Sequence, residues 1–232
     1  MKKLYFTLFL VLQTATTFAT KDSLALFSTA VQKNIKTYVR YSNKAYNKKD
    51  IQKAHFLFDS LVNETLIGTR FDDFSFRRIG KKKLQLSTIQ LPTIIYTYAS
   101  WCVMDKGEIP ALNKLSQEYK GKIKIIVVFW DKKQNMKKIA RKFNSQIEVC
   151  YAHQDYDNDI KAVQLLKNGL GFPTSYYLDS NRVLVDLKKR SLQPIYNTDL
   201  TTSTENCIVF FNTEIKKLLL SNSLNKTQLV KF

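Results

Sequence analysis

An α/β sandwich, in which helices flank a mixed central sheet and a helical N-terminal extension comes first, is what the 232-residue sequence predicts. Three features carry that expectation. Strand-like and helix-like segments alternate beyond residue 90. The last two strands flank a hairpin turn, which makes the sheet mixed rather than all parallel. Two amphipathic helical stripes precede them. Composition sets the outer bounds. An apolar share of 44% is enough for a real core, and 6 Gly with 4 Pro exclude collagen-like and Pro-rich architectures. Three cysteines are too few for a disulfide-stapled mini-protein. The charge of +18, from 37 basic and 19 acidic residues, favours anionic surfaces without determining a fold.

At the N-terminus, Lys2 and Lys3 precede an apolar run from Leu4 to Leu12, and a small, polar stretch follows up to Thr20. That three-part order predicts a secretory signal peptide over residues 1–19, cleaved after Ala19, with Thr17 at the minus-three position. The run is far shorter than the roughly 20 residues of a membrane span. No other segment is apolar enough to cross a bilayer. The expected mature chain is therefore exported, to the periplasm or cell envelope, and its cysteines meet an oxidising compartment.

Leu24, Phe27, Val31, Ile35 and Tyr38 form one helical stripe; Ile51, Ala54, Phe58 and Leu61 form a second. Together they predict a helix pair over about 22–65, with its lysines on a solvated face. Phe71, Phe74 and Phe76 open an extended stretch, and Gly80-Lys81-Lys82-Lys83 reads as a hairpin turn. Thr93 to Ala99 is β-rich, and Asp105 to Tyr119 has helical spacing. Lys122 to Trp130 is the apolar run of a strand covered on both faces. Asn135 to Phe143 is helical, Ile147 to Ala152 extended, and Ile160 to Lys167 helical. Ser175–Leu178 and Arg182–Leu187 flank Asp179-Ser180-Asn181, a hairpin signal. Glu205 to Leu220 closes the chain as an amphipathic helix.

The chemistry concentrates where the first of these strands meets its helix. Ala99-Ser100-Trp101-Cys102 ends the strand, and Asp105 to Pro110 begins the helix. A thiol at a helix N-terminus faces unpaired N–H groups and the positive end of the macrodipole, which favour the nucleophilic thiolate. Pro110, lacking an N–H, is expected to kink the helix.

Trp101-Cys102 followed by Glu108-Ile109-Pro110 resembles the active-site segment of thioredoxin-like proteins of the TlpA type, Trp-Cys-x-x-Cys with a later Glu-x-Pro. Gly171-Phe172-Pro173-Thr174, just before a strand, is similar to that family's loop whose proline is cis and lies against the reactive cysteine. The resemblance implies a thioredoxin-like domain over residues 67–232, a helical extension over 20–66, and a thiol-disulfide oxidoreductase or isomerase with Cys102 as nucleophile. It also implies protein or small-molecule thiols and disulfides as partners, without a cofactor. Trp101, Asp105, Glu108, Phe172 and Pro173 are the expected site-lining residues.

The departure is at Asp105, which stands where the family has its second, resolving cysteine. Without that neighbour a mixed disulfide at Cys102 has no tethered thiol to release it. Asp105 has two readings: a carboxylate that suits the first helical turn, and a charge that raises the nearby thiol pKa. Glu108 either exchanges protons with the thiol or sits on a solvated helix face. Cys150, in a strand, is expected to be buried and inert, and Cys207 lies on the helical face of Phe211, Glu214 and Leu218; the alternatives are that either resolves Cys102 or that the two pair.

A Cys102, Met104, His153 set would suit Cu(I), but no paired cysteine motif supports it, and no metal is expected. Ala99 stands where peroxiredoxins place a threonine three residues before the cysteine. The basic surplus is scattered, so a nucleic-acid partner is not expected. Two functions remain: a single-cysteine oxidoreductase or isomerase, and a redox-silent binding module that keeps the fold and its peptide groove.

Overall fold

The computed structural model of the chain describes residues 24–102, 105–189 and 198–229. The expected signal peptide over 1–19 lies outside them. Two long-range antiparallel returns and one parallel trio build a seven-stranded sheet in the order β2-β1-β5-β4-β3-β6-β7. The strands are β1 (Ser75–Arg78), β2 (Lys81–Gln85), β3 (Thr93–Tyr98), β4 (Lys124–Phe129), β5 (Glu148–Tyr151), β6 (Thr174–Leu178) and β7 (Leu184–Lys189). β3 pairs β4 in parallel from Thr93↔Lys124 to Tyr98↔Phe129, and β4 pairs β5 in parallel. β6 runs antiparallel on the other side of β3, with β7 antiparallel beyond it.

Alternation along the central strands explains the two layers of helices, because successive side chains point to opposite faces. Ile95, Ile126, Val128 and Tyr176 enter one core; Ile94, Tyr96, Tyr98, Val127, Phe129 and Tyr177 enter the other. The first core is covered by α1 (Phe27–Asn47), α2 (Ile51–Leu61) with its π-helical continuation Val62–Leu66, and α5 (Ile160–Ala162), which runs on as a π-helical segment, Val163–Gly169. The second is covered by α3 (Glu108–Glu118), α4 (Lys133–Ala140) and α6 (Leu200–Leu229). The N-terminal helices do not stand apart. Phe27, Val31, Phe58 and Leu61 are buried in the same core as the sheet, and Phe27 N donates to Arg70 O at 2.8 Å.

Four local expectations shift. α3 begins at Glu108 rather than Asp105, because the Asp105 carboxylate accepts from Gly107 N at 3.0 Å and draws residues 105–107 into a turn. Pro110 consequently falls in the first helical turn, where N–H groups have no intrahelical partner, and its missing donor breaks no helix hydrogen bond. The hairpin turn is Ile79-Gly80, with Gly80 at φ +68°, and Lys81–Lys83 are already strand: Arg78 pairs Lys81. α6 starts five residues early because the Asp199 carboxylate accepts from Thr202 N at 3.0 Å as a helix cap.

Candidate active site

Parallel β3 and β4 end side by side, and their carboxyl ends form the floor of the site. Trp130 N donates to Tyr98 O at 2.7 Å, which holds the two strand exits together. Beyond β3 the chain turns back at once: Cys102 N donates to Ala99 O at 3.0 Å, and the Tyr98 hydroxyl donates to Cys102 O at 3.0 Å. Asp131, just past β4, is buried and braces this turn from beside it. Its carboxylate accepts from Ser100 N and from Ser100 Oγ, each at 2.7 Å. Cys102 is left half-buried against the α3/α6 core, while Trp101 stands 70% exposed at the rim.

The second segment arrives through the sheet. Thr97 pairs Thr174 across β3 and β6, and Thr97 Oγ1 donates to Thr174 O at 3.1 Å. That register brings the Gly171–Pro173 loop to the exit of β3. The Phe172–Pro173 peptide bond is cis, as the sequence led us to expect, and Gly171 takes φ +80°. The Phe172 ring meets the Trp101 indole edge-on, centroids 5.5 Å apart, so the two motifs form one surface.

The carboxylates around the thiol act against ionisation. Burial pushes the Cys102 thiol up, the backbone at Ala99 pulls it down, and the charges of Asp131 and Glu108 push it up again. The helix expected to favour the thiolate begins six residues further along, at Glu108, and its field falls off within a turn.

Glu108 is buried in the first turn of α3, where its Oε1 accepts from the Tyr96 hydroxyl at 3.1 Å. The solvated-face alternative for Glu108 is therefore wrong: starting α3 at residue 108 turns this side chain inward. Asp105 is engaged structurally. Besides Gly107 N, its carboxylate accepts from Ser203 Oγ, and Ser203 Oγ also accepts from Gly107 N at 2.8 Å. This junction ties the loop after Cys102 to α6.

Cys150 is fully buried in the opposite core from Cys102, and burial pushes its thiol up to about 12. Cys207 is fully buried on α6, in line with Phe211, Glu214 and Leu218 as its spacing suggested. Met104 lies outside the described residues. His153 is half-buried beside Asp155, its Nδ1 3.2 Å from Asp155 N. Asp131, Tyr98 and Ser203 were not singled out from sequence. Only Asp131 carries a local signal, as the first polar residue after the apolar run of β4.

A family model described as the AhpC/TSA family matches residues 67–186, just over half of the chain. The chain belongs to the AhpC/TSA family. The match takes in Cys102, Asp131 and the Gly171–Pro173 loop, and stops short of Ser203 on α6. Relatives of this AhpC/TSA chain include the thioredoxin-like protein YneN of Bacillus subtilis, 26% identical over 121 residues, which are 52% of this chain and 69% of the relative. Among solved structures, the thioredoxin domain of a thiol-disulfide oxidoreductase from Bacteroides vulgatus is 18% identical and has a TM-score of 0.47, over 62% of this chain and 96% of that one. A thioredoxin-like protein from Bacteroides caccae is 16% identical with a TM-score of 0.42, over 70% of this chain. The AhpC/TSA chain spans just over half, 56%, of that protein's length. Among the described residues no helix is long and apolar enough to cross a membrane.

Proposed function

We propose that this AhpC/TSA-family protein is an exported, TlpA-like thiol-disulfide oxidoreductase or isomerase that works through one cysteine, Cys102. The observation that carries the reading is the meeting of Cys102's turn with the Gly171–Pro173 loop through the Trp101–Phe172 contact. Around it, Asp105 occupies the position of a resolving thiol and is engaged elsewhere, and Cys150 faces the opposite core. The Cys102 thiolate attacks one sulfur of a substrate disulfide. A Cys102–substrate S–S bond forms as the substrate's own breaks, and the second substrate sulfur leaves as thiolate. A substrate thiol or an external small thiol then attacks the mixed disulfide and returns Cys102 as thiolate.

Trp101 and Phe172 supply an apolar ledge for the substrate, and Pro173 bounds it. Burial, with the charges of Asp131 and Glu108, acts against ionisation of the thiol. Within the family, Ala99 in place of threonine favours disulfide over peroxide as the oxidant. Export rests on the signal-peptide pattern of residues 1–19, and intact mass of protein recovered from the envelope tests cleavage after Ala19: retention of Met1 there overturns the soluble mature form.

The competing reading, a redox-silent binding module, draws support from the raised Cys102 thiol. One trapping experiment separates the two. Brief exposure to a disulfide followed by a thiol quench gives, on intact mass, one adduct on wild type, Cys150→Ser and Cys207→Ser, and none on Cys102→Ser. No adduct on wild type from neutral to alkaline pH establishes the binding module. A larger yield of trapped adduct on Cys207→Ser than on wild type shows that Cys207 resolves Cys102, and ends the single-cysteine mechanism.

A further inference from the structure

Beside the Gly171–Pro173 loop the protein carries a cleft of about 500 Å³ that shares Phe172 and Pro173 with the substrate ledge and whose other lining the thiol chemistry above does not use. One wall is that loop with the end of β7. The other is the N-terminal helix pair, which presents Tyr38 from α1 and His55, Phe58 and Asp59 from α2. The extension thus does more than cover the core: it closes a space beside the Gly171–Pro173 loop.

Lys189 is the group that distinguishes this cleft. Its register partner is Thr174, the residue after Pro173, and its ammonium lies beside Gly171, about 4.0 Å from where a Cβ there would sit. The ammonium rests over the Phe58 ring, 4.3 Å from its centroid, and donates to the Tyr38 hydroxyl at 3.4 Å. Among the described residues no carboxylate forms an ion pair with it. Neighbouring Lys188 is engaged by Asp186 at 3.1 Å, and Asp59, although it lines the cleft, is not within ion-pair distance of Lys189. Lys189 is exposed overall, yet packing around its ammonium lowers its pKa to about 8. An ammonium held in a half-dry aromatic setting without a counter-charge is well placed to take one from a ligand.

We propose that this cleft selects thiols and disulfides bearing a carboxylate, with Lys189 receiving the carboxylate while the attached sulfur reaches over Phe172 to Cys102. The inference rests on the thiol-disulfide reading of Cys102 and names its substrate class. The covalent step is unchanged: one S–S bond forms at Cys102, one breaks, and the departing sulfur leaves as thiolate. The carboxylate has two sources, a small thiol such as a glutathione-sized peptide or an acidic protein segment next to a cystine.

The full chain tests this, as wild type, Lys189→Met, Lys189→Arg and, for non-specific charge, Lys83→Met. The rate of adduct formation at Cys102 is read by intact mass with oxidised glutathione and with its carboxyl-esterified form. The same pair is made for a disulfide-linked acidic peptide and its amidated counterpart. Wild type is expected to prefer the carboxylate form by about tenfold, the scale of one charge-assisted hydrogen bond. Lys189→Met removes the preference and leaves the ester rate unchanged, whereas Lys189→Arg and Lys83→Met keep it. A preference confined to glutathione assigns the cleft to small thiols, and one confined to the peptide assigns it to proteins. Equal rates for both forms on wild type, or a preference that survives in Lys189→Met, overturn the proposal. Should no disulfide react at Cys102, the thiol-disulfide reading itself fails. The cleft is then judged by NMR titration of S-methylglutathione and its ester into Cys102→Ser: carboxylate-dependent binding lost in Lys189→Met sustains it, and indifference to the carboxylate ends it.

Discussion

Gly107→Ala isolates the junction that anchors the active-site loop. Gly107 is buried at the start of α3 with φ −82° and ψ −13°, a conformation alanine adopts freely, so backbone strain plays no part. The whole effect is steric, because the position of a Cβ is already occupied by the backbone of Ser203 and Thr204 on α6. No rotamer change relieves a clash with backbone; α6 has to move. Overpacking of this kind costs about 1–3 kcal/mol. Moving α6 also pulls Ser203 Oγ from Gly107 N and from Asp105, which adds about 1 kcal/mol. The total of about 2–4 kcal/mol corresponds to a fall in Tm of roughly 5–15 °C for a chain of this size. Urea or thermal unfolding measures it, with Ser203→Ala as a companion that loses the hydrogen bonds without the clash and falls by about 1 kcal/mol. Gly107→Ala as stable as wild type would refute the close approach of α6 to the site.

Asp131→Asn and Glu108→Gln each remove a negative charge beside Cys102, so the pH profile of Cys102 alkylation should move to lower pH in both. A profile that stays in place removes these carboxylates from the account of the thiol. Asp105→Cys installs a second thiol three residues after Cys102; it should shorten the lifetime of the trapped mixed disulfide while costing about 1–2 kcal/mol of stability through the lost Gly107 and Ser203 bonds. An unchanged lifetime means that position cannot resolve Cys102. Cys150, with its thiol pushed up to about 12, should resist iodoacetamide near neutral pH until denaturant is added, and prompt native labelling would contradict its burial. Trp101→Ala should change stability by no more than about 1 kcal/mol, since the side chain is 70% exposed, yet slow adduct formation with peptide disulfides; equal rates would deny Trp101 a place at the substrate.

What could be read from sequence was whatever has a local period or a short motif. The central strands β3, β4 and β6 declared themselves through apolar β-branched and aromatic runs, and the α1 and α2 stripes through three-and-four spacing. The cysteine turn and the Gly171–Pro173 loop were legible because each is a contiguous motif. The rest depends on contacts that leave no local trace. Asp131 braces Ser100 from 31 residues away, and Ser203 meets Gly107 from 96 residues away. The shift of the α3 start followed from a side-chain choice: the Asp105 carboxylate satisfies Gly107 N and so competes with helical continuation. Lys189 was invisible for a similar reason. A lysine at a strand end looks like any solvated charge until two helices from the opposite end of the chain close over it.

The surroundings of Cys102 also bear on which way exchange runs. A thiol whose pKa is raised is rarely ionised near neutral pH, but its thiolate is a strong nucleophile once formed. The same property makes it a slow leaving group, so a thiol attacking the mixed disulfide expels the substrate sulfur more readily than Cys102. On the proposed reading, a raised thiol favours the oxidised forms of Cys102 over its free thiolate, which is the character of a site that removes disulfides from others rather than donating them. Lowered thiol pKa values work in the opposite sense and suit oxidants. On the thiol-disulfide reading proposed above, burial, Asp131 and Glu108 all raise the thiol and Asp105 stands in place of a resolving cysteine, a combination that suits persistent attachment to a substrate disulfide. Persistence gives a misplaced substrate thiol time to attack its own partner, which makes isomerisation the form of exchange that least needs the missing second cysteine. It also explains why the two carboxylate substitutions should shorten the lifetime of the adduct as they speed its formation near neutral pH.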